Sequence, residues 1–406
     1  MIWSVAWRNI WRNKLRSIVI IIAITIGIFA GVFTWAFYRG MVNQRIQTAI
    51  ITESSHIQIH HKNFLQNPDQ KFYIQGIDSI ARIISHMQGV KAVSKRMLMN
   101  AMISSAETGA GVKITGIYPV NEKRVTNIYS KITNGKYLEK GRGTPIVIGQ
   151  QLAKKLSVKM RSKLVITIQT VDGTLTSGLF RVAGLYKSSN SVYDEMNVFV
   201  QYAELAALIN LDENNGHELA VLLESNEQLE NLAGALRDKF PELDVKTWKE
   251  LMPEVSLVEE TTDISMYVFL GIILTALIFG IINTMLMAVL ERVKELGMLM
   301  AIGMNRIRVF MMILLETVLL SLTGGITGIV AGYLVTIYFG NKGIDLSRFA
   351  EAYEKLGYES MIYPISSIDI DIIVACMVLV TGILASIYPA WKAIQLNPAE
   401  ALHSDI

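Results

Sequence analysis

The sequence predicts a membrane protein with four transmembrane α-helices, one followed much later by three, and a large α+β extracytoplasmic domain inserted between helices one and two. Three observations predict it. Four long apolar blocks punctuate the chain, each reaching the ~20 residues that an α-helix needs to cross ~30 Å of hydrocarbon. Basic residues flank those blocks on the side that short loops keep in the cytoplasm. Residues 40–263, between the first two blocks, have the mixed composition of an ordinary globular domain. The 406 residues are 51% hydrophobic and 18% charged. Soluble domains carry about 25% charged residues, and the apolar excess here sits in the blocks. A net charge of +3 gives no reason to expect nucleic acid as a partner.

Residues 1–16 come first. Trp3, Trp7, Ile10 and Trp11 recur at helical spacing, and Arg8, Arg12 and Arg16 recur every four residues on another face. The pattern predicts a cytoplasmic amphipathic helix lying in the interface, indoles at headgroup level. A plain basic anchor with belt aromatics reads the same residues. Residues 17–39 are the first membrane helix, with Ile18 to Tyr38 uncharged. Its length, and the lack of an A-x-A-like site, favour a retained anchor over a cleaved signal peptide.

The second membrane helix is 264–290, also uncharged. The third, 309–341, holds one charge, Glu316, and the fourth is 372–391. Orientation follows from Arg8, Arg12, Lys14 and Arg16 before the first helix, Arg292, Lys294, Arg306 and Arg308 between the second and third, and Lys392 after the fourth. Both termini, the loop 291–308 and the tail 392–406 are then cytoplasmic, and 40–263 and the loop 342–371 are outside. Gly324, Gly328 and Gly332 form a small-xxx-small ladder, and Ala23, Gly27 and Gly31 form another. Such ladders predict close helix packing, in this chain or against a partner. Glu316 stands about two turns beyond Arg308; an intramembrane carboxylate is a candidate proton relay, but pairing with a nearby arginine or a helix end is the favoured expectation.

The outer segment reads as α+β. His56 to His60 alternates at period two, and Ile77, Ile80, Ile83, Ile84 and Met87 fall at helical spacing. Short strands are expected at 113–118, 145–148, 163–170, 180–186 and 197–200, and short helices at 152–156 and 203–209. Asn134-Gly135 and Asp172-Gly173 are read as turns. Pro253 and the polar stretch 259–263 lead back to the membrane. The single cysteine, Cys376, lies in an apolar block, so no disulfide can form within the chain.

Catalytic chemistry is not legible. His56, His60 and His61 lack an accompanying carboxylate or cysteine set, so no metal site is expected. No catalytic triad or acid pair can be argued. Gly135-Lys136 is followed by Tyr137, so there is no G-x-x-x-x-G-K-[ST] loop. Leu322-Thr323-Gly324-Gly325 echoes an ABC signature but lies within a membrane helix.

Two motifs carry a family resemblance. Glu291-Arg292-Val293-Lys294-Glu295-Leu296-Gly297-Met298-Leu299-Met300-Ala301-Ile302-Gly303, followed by Arg306, Arg308 and Glu316, resembles E-R-x-x-E-[IL]-G-x-x-x-A-[IL]-G. Tyr388-Pro389-Ala390-Trp391-Lys392-Ala393, then Asn397-Pro398-Ala399-Glu400-Ala401-Leu402, resembles Y-P-A-x-x-A…P-x-E-A-L. Both are patterns of the FtsX/MacB/Lol superfamily of ABC transporter permeases, whose one-plus-three layout this chain shares. The start Ala6-Trp7-Arg8-Asn9-Ile10-Trp11-Arg12-Asn13-Lys14, leading on to His56-Ile57-Gln58-Ile59-His60, is most similar to the lipoprotein-releasing LolC/LolE branch.

The resemblance implies a permease subunit of the bacterial inner membrane that is not itself an enzyme. ATP and Mg would be bound by a separate cytoplasmic ATPase dimer, with no cofactor in this chain. The loop would be the coupling helix, with Glu291, Arg292, Lys294, Glu295, Arg306 and Arg308 as polar contacts. Leu296, Met298 and Leu299 would form its apolar face, with Gly297 in the motif. From charge pattern alone, a solvated topogenic loop fits equally. A second permease copy or paralogue, an acylated lipoprotein or other amphiphile as substrate, and a periplasmic carrier complete the expected partners. A lipid cavity between helices one and two would draw on Ile26, Phe29, Phe33, Phe37, Val268, Leu270 and Ile273. The implied function is lipoprotein extraction from the outer leaflet by mechanotransmission. The alternatives are MacB-like export of peptides or drugs and FtsX-like control of a cell-wall hydrolase.

Overall fold

A computed structural model describes residues 2–139 and 143–395, with side chains from Trp7 onward. The Trp3 side chain and the closing motif at 397–402 lie outside the described residues. The chain opens with helices α1 (Ile2–Arg12) and α2 (Lys14–Thr48), and α2 runs on into a π-helical turn, Ala49–Ser54. This corrects two expected boundaries. The helix expected over 1–16 breaks at Asn13, where Ser17 Oγ donates to Ile10 O at 2.6 Å across the break. The membrane helix expected to end at residue 39 continues past Thr48, because helicity needs no apolar side chains and no proline interrupts it. The run stops at Ser55, whose φ is 74°.

The α+β segment follows: β1 (Ile57–His61), α3 (Ile77–Ser85), β2 (Val90–Ser104), β3 (Gly109–Ile117), α4 (Pro119–Val125), β4 (Ile132–Gly135), β5 (Thr144–Gly149), α5 (Gln150–Lys155), β6 (Lys163–Gln169), β7 (Leu175–Tyr186), α6 (Ser191–Met196), β8 (Asn197–Gln201), α7 (Tyr202–Ile209), β9 (Glu218–Leu223), α8 (Leu229–Lys239), β10 (Leu243–Thr247) and α9 (Trp248–Leu251). The sheet runs β10-β1-β9-β2-β3-β8-β5-β7-β4, with β6 pairing β2 and β7. The long β2 is its spine. Lys95 and Arg96 interrupt the apolar alternation of β2, and the register shifts between Val90 and Ala92. Period-two reading therefore passes over it. Met97, Ile103, Ile114, Ile146, Ile166 and Val198 lie in the main apolar core. Asp172-Gly173 does turn the chain between β6 and β7. Asn134-Gly135 does not; both residues are strand β4. A Cβ on Gly135, at φ +85°, would collide with Ala183 O, so this glycine serves a close backbone approach.

Then come α10 (Pro253–Glu291), α11 (Val293–Ala301), α12 (Arg306–Lys342), α13 (Ala350–Lys355) and α14 (Ile368–Ile394). The polar stretch 259–263 is therefore helical, part of α10. Among the described residues, α2, α10, α12 and α14 are long and apolar enough to cross a membrane.

The chain forms two compact units. The α+β unit comprises Asn43–Glu259 and Asp345–Met361. The helical unit comprises the described residues up to Val42, Glu260–Ile344 and those from Ile362 onward. The stretch expected as a loop at 342–371 thus contributes to the α+β unit. There, Lys187 pairs with Glu354 at 2.8 Å, Lys131 with Glu359 at 3.6 Å, and Gln44 Nε2 donates to Met361 O at 3.0 Å.

In the helical unit the glycine ladder of α12 meets α2 of the same chain. A Cβ on Gly328 would stand 2.8 Å from Thr25 O, and one on Gly324 2.8 Å from Ile24 Cβ. Gly332 faces Val32 at 2.8 Å, and Thr25 Oγ1 lies 2.7 Å from Thr327 Oγ1. The second ladder turns to α10, where Gly27 meets Leu277 and Gly31 meets Leu270, each at 3.1 Å.

Candidate functional site

The segment between α10 and α12 is a short helix isolated by backbone breaks. Arg292, at φ −107°, caps its start, and Gly303, at φ +104°, follows its end. Asn305 then caps α12, its Oδ1 accepting from Ile307 N at 3.1 Å. Leu296 and Gly297 turn inward, and Leu296 is 2% exposed in the apolar core with Val309, Met312 and Ile313. This corrects the expectation that Leu296 belongs to the contact face, since its position on the helix points it at α12. Glu291, Lys294, Glu295, Met298, Arg306 and Arg308 are exposed, and Leu299 is half-buried. Ile302 and Ile307, which the sequence reading did not assign to this face, are among its most exposed apolar residues, at 79% and 68%. The spacing of Met298 and Ile302, four apart on one helical face, is the signal that finds Ile302.

Ion pairs fix this helix. Arg12 lies 2.5 Å from Glu295, Arg292 Nε 3.2 Å from the same carboxylate, and Arg16 pairs with Glu291. The hydrogen bond from Arg12 holds the Glu295 carboxyl below its usual range. Arg292 Nη1 donates to both oxygens of Glu316 at 3.3 Å. Glu316, almost fully buried in α12, thus has the arginine partner that a buried carboxylate requires.

A laterally open apolar groove of about 410 Å³ runs between α2 and α10, lined by Ala23, Gly27, Ile273, Leu277, Gly280 and Thr284 among others. Of the residues expected around a lipid cavity, Ile273 lines it. Leu270 is buried against Gly31, Ile26 and Val268 are exposed elsewhere, and Phe29, Phe33 and Phe37 are half-buried off the groove. Phe33 packs edge-on against Phe339 of α12 at 6.2 Å. The small residues at four-residue spacing on both helices mark the groove better than the phenylalanines.

In the α+β unit, Arg96 is clamped by Glu122 at 2.7 Å and Glu218 at 2.6 Å, all three nearly inaccessible. Burial opposes its charge, but the two carboxylates hold the guanidinium pKa up. His60 stacks on Phe64 at 5.4 Å and its Nδ1–H donates to His217 O at 3.1 Å. Burial pushes His60 down, and pushes His56 and His217 to about 4. His61 is half-buried and accepts from Asn63 N. Among the described residues no three His, Cys, Asp or Glu side chains converge as metal ligands would.

Two family models match. The MacB-like periplasmic core domain matches residues 17–239, more than half of the chain, and the FtsX-like permease C-terminal domain matches residues 267–398. The lipoprotein-releasing system transmembrane protein LolC of Neisseria meningitidis serogroup B is 24% identical over 357 residues, covering 81% of this chain and 83% of that protein. The macrolide export ATP-binding/permease protein MacB of a Shewanella species is 27% identical over 231 residues, 55% of this chain and 33% of that one. The solved periplasmic region of MacB from Actinobacillus actinomycetemcomitans is similar at a TM-score of 0.36 and 12% identity, over 53% of this chain and 97% of its own length.

Proposed function

We propose that this chain, which belongs to the FtsX/MacB/Lol superfamily of ABC transporter permeases, is the permease subunit of a lipoprotein-releasing transporter. Lipoproteins would leave the outer leaflet of the inner membrane and pass to a periplasmic carrier. The carrying observation is the likeness to LolC, which runs along most of both chains. ATP would be bound and hydrolysed by a separate cytoplasmic ATPase dimer that docks on the exposed face of α11 and the start of α12. Both termini would then be cytoplasmic, as the basic flanks favour, with the α+β unit outside. Acyl chains would enter the groove between α2 and α10. A second copy of this chain or a related subunit would complete the permease pair.

MacB-like export is the second reading, favoured by the match of the MacB-like core to residues 17–239. The relative that represents it is an ATP-binding/permease protein, and these 406 residues contain no G-x-x-x-x-G-K-[ST] loop.

Purification of the tagged protein from its native host in mild detergent, with mass spectrometry of everything bound, separates the readings. An ATPase with acylated lipoproteins supports release. An ATPase with an adaptor and no lipoprotein supports export. With no ATPase bound, the docking role of α11 fails.

A further inference from the structure

We propose that α1 and α11 form one mechanical piece, so that displacement of α11 reaches α2 directly through Arg12 and Arg16 as well as along the covalent path through α10 and α12. The inference rests on α11 being where the ATPase docks.

Four observations carry it. Arg12 and Arg16, from the end of α1 and the start of α2, reach Glu295 and Glu291 at the two ends of the α10–α11 junction. Ile10 on α1 and Leu296 on α11, both 2% exposed, are buried in one apolar core with Met312, and Asn9 Nδ2 approaches Met312 Sδ at 3.9 Å. Ser17 Oγ braces the α1–α2 break against Ile10 O. Arg292, at the start of α11, holds Glu295 and Glu316 together and so ties the Arg12 pair to α12. Therefore α11 has one free face, with Met298 and Ile302, and one held face.

The two kinds of contact do different work. Apolar contacts are non-directional and let helices slide. Charge-assisted hydrogen bonds from an arginine Nη to a carboxylate are directional and resist sliding, as Arg12 and Arg16 each make through one Nη atom. The Arg12–Glu295 pair is half exposed, with side chains at 54% and 47%, so it adds little stability by itself. Its role is positional. Arg12, Arg16 and Arg292 are positioning residues in this scheme.

The test follows the far end of α2 in the complex with its ATPase. With the single cysteine replaced (Cys376→Ser), a spin label at Arg39→Cys, an exposed position, reports α2. Arg16→Glu breaks a pair in which, among the described residues, Glu291 has no second basic partner. Arg16→Glu with Glu291→Arg rebuilds it reversed. The expected result is a change in label mobility on ATP binding that is reduced in Arg16→Glu, where the Arg12 and covalent routes remain, although the ATPase co-purifies in the normal amount, and that the reversal restores. A label that responds to ATP equally in Arg16→Glu, that stays as weak in a reversal binding the ATPase in the normal amount, or that never responds in the unmodified pair overturns the proposal. Failure of the ATPase to bind even the unmodified chain overturns instead the docking reading beneath it.

Discussion

Both units bury charge, and they do so differently. In the α+β unit Arg96 sits between Glu122 and Glu218 at 2.7 and 2.6 Å, with Ser94 and Thr126 also donating to Glu122. Among the described residues, Glu122, Glu218, Ser94 and Thr126 are all buried. In the helical unit, among the described residues, Glu316 has Arg292 as its one ion-pair partner, at 3.3 Å, and Arg292 is shared with the exposed Glu295 and through it with Arg12. The first arrangement is closed and saturated, and it locks strands β2 and β9 to α4. The second is open at one end and joins three helices. A buried charge that is fully satisfied specifies a fold, and one that is shared outward can carry displacement.

Four predictions would break or sharpen that contrast, the substitutions running from the largest expected effect to the smallest. Arg96→Met leaves two buried carboxylates without a cation, and is expected to cost ~3–5 kcal/mol of the α+β unit's stability. Urea unfolding in detergent, followed by the fluorescence of the fully buried Trp248, measures it. Arg292→Ala is expected to cost less, about 2 kcal/mol, since a single carboxylate loses its partner near a polar pocket. Equal losses in the two variants would erase the distinction between closed and open networks.

Gly328→Leu must push α12 off Thr25 O and Ile28, with an expected cost of ~1–3 kcal/mol by overpacking. Gly271→Ala on α10, with nothing within 4 Å of the new methyl group, should be neutral or stabilising by about 0.5 kcal/mol. Thermal aggregation of the two variants in detergent compares them directly.

The pH profile addresses the α+β unit alone. His56 and His217 have folded pKa values of about 4 against an ordinary value of 6.5. Between those limits the unfolded chain binds more protons, so the α+β unit gains stability as pH rises from 4 to 6.5 and loses it on acidification. Burial lifts Asp194 to about 6, which acts oppositely between about 4 and 6 and blunts the slope. His217→Gln should flatten the histidine part, read by unfolding midpoints across that range.

Legibility in the sequence followed the solvent. The membrane helices announced themselves because hydrocarbon demands long apolar runs, yet their ends did not, since α2 and α10 remain helical through polar residues such as Asn43 and Glu260. Strands that alternate, such as β1 and β6, were readable. The spine β2 was not, because its Arg96 points into a buried charge cluster that only β9 and α4 complete. At the proposed docking face, charge and spacing singled out Glu291 and Glu295, whereas the inward turn of Leu296 depends on where α12 lies. The pairing of Glu316 was expected, but its partnership with Arg292 in particular depends on the break between α10 and α11.

The contribution of Asp345–Met361 to the α+β unit bears on how such a domain can be moved between proteins. The unit is sewn from two stretches separated by two long apolar helices, so it is not a cassette. A graft of residues 43–259 alone would leave behind the seam that supplies Glu354 and Glu359 to Lys187 and Lys131. Chimaeras that exchange both stretches together keep that seam, and recombination at the single obvious boundary severs it.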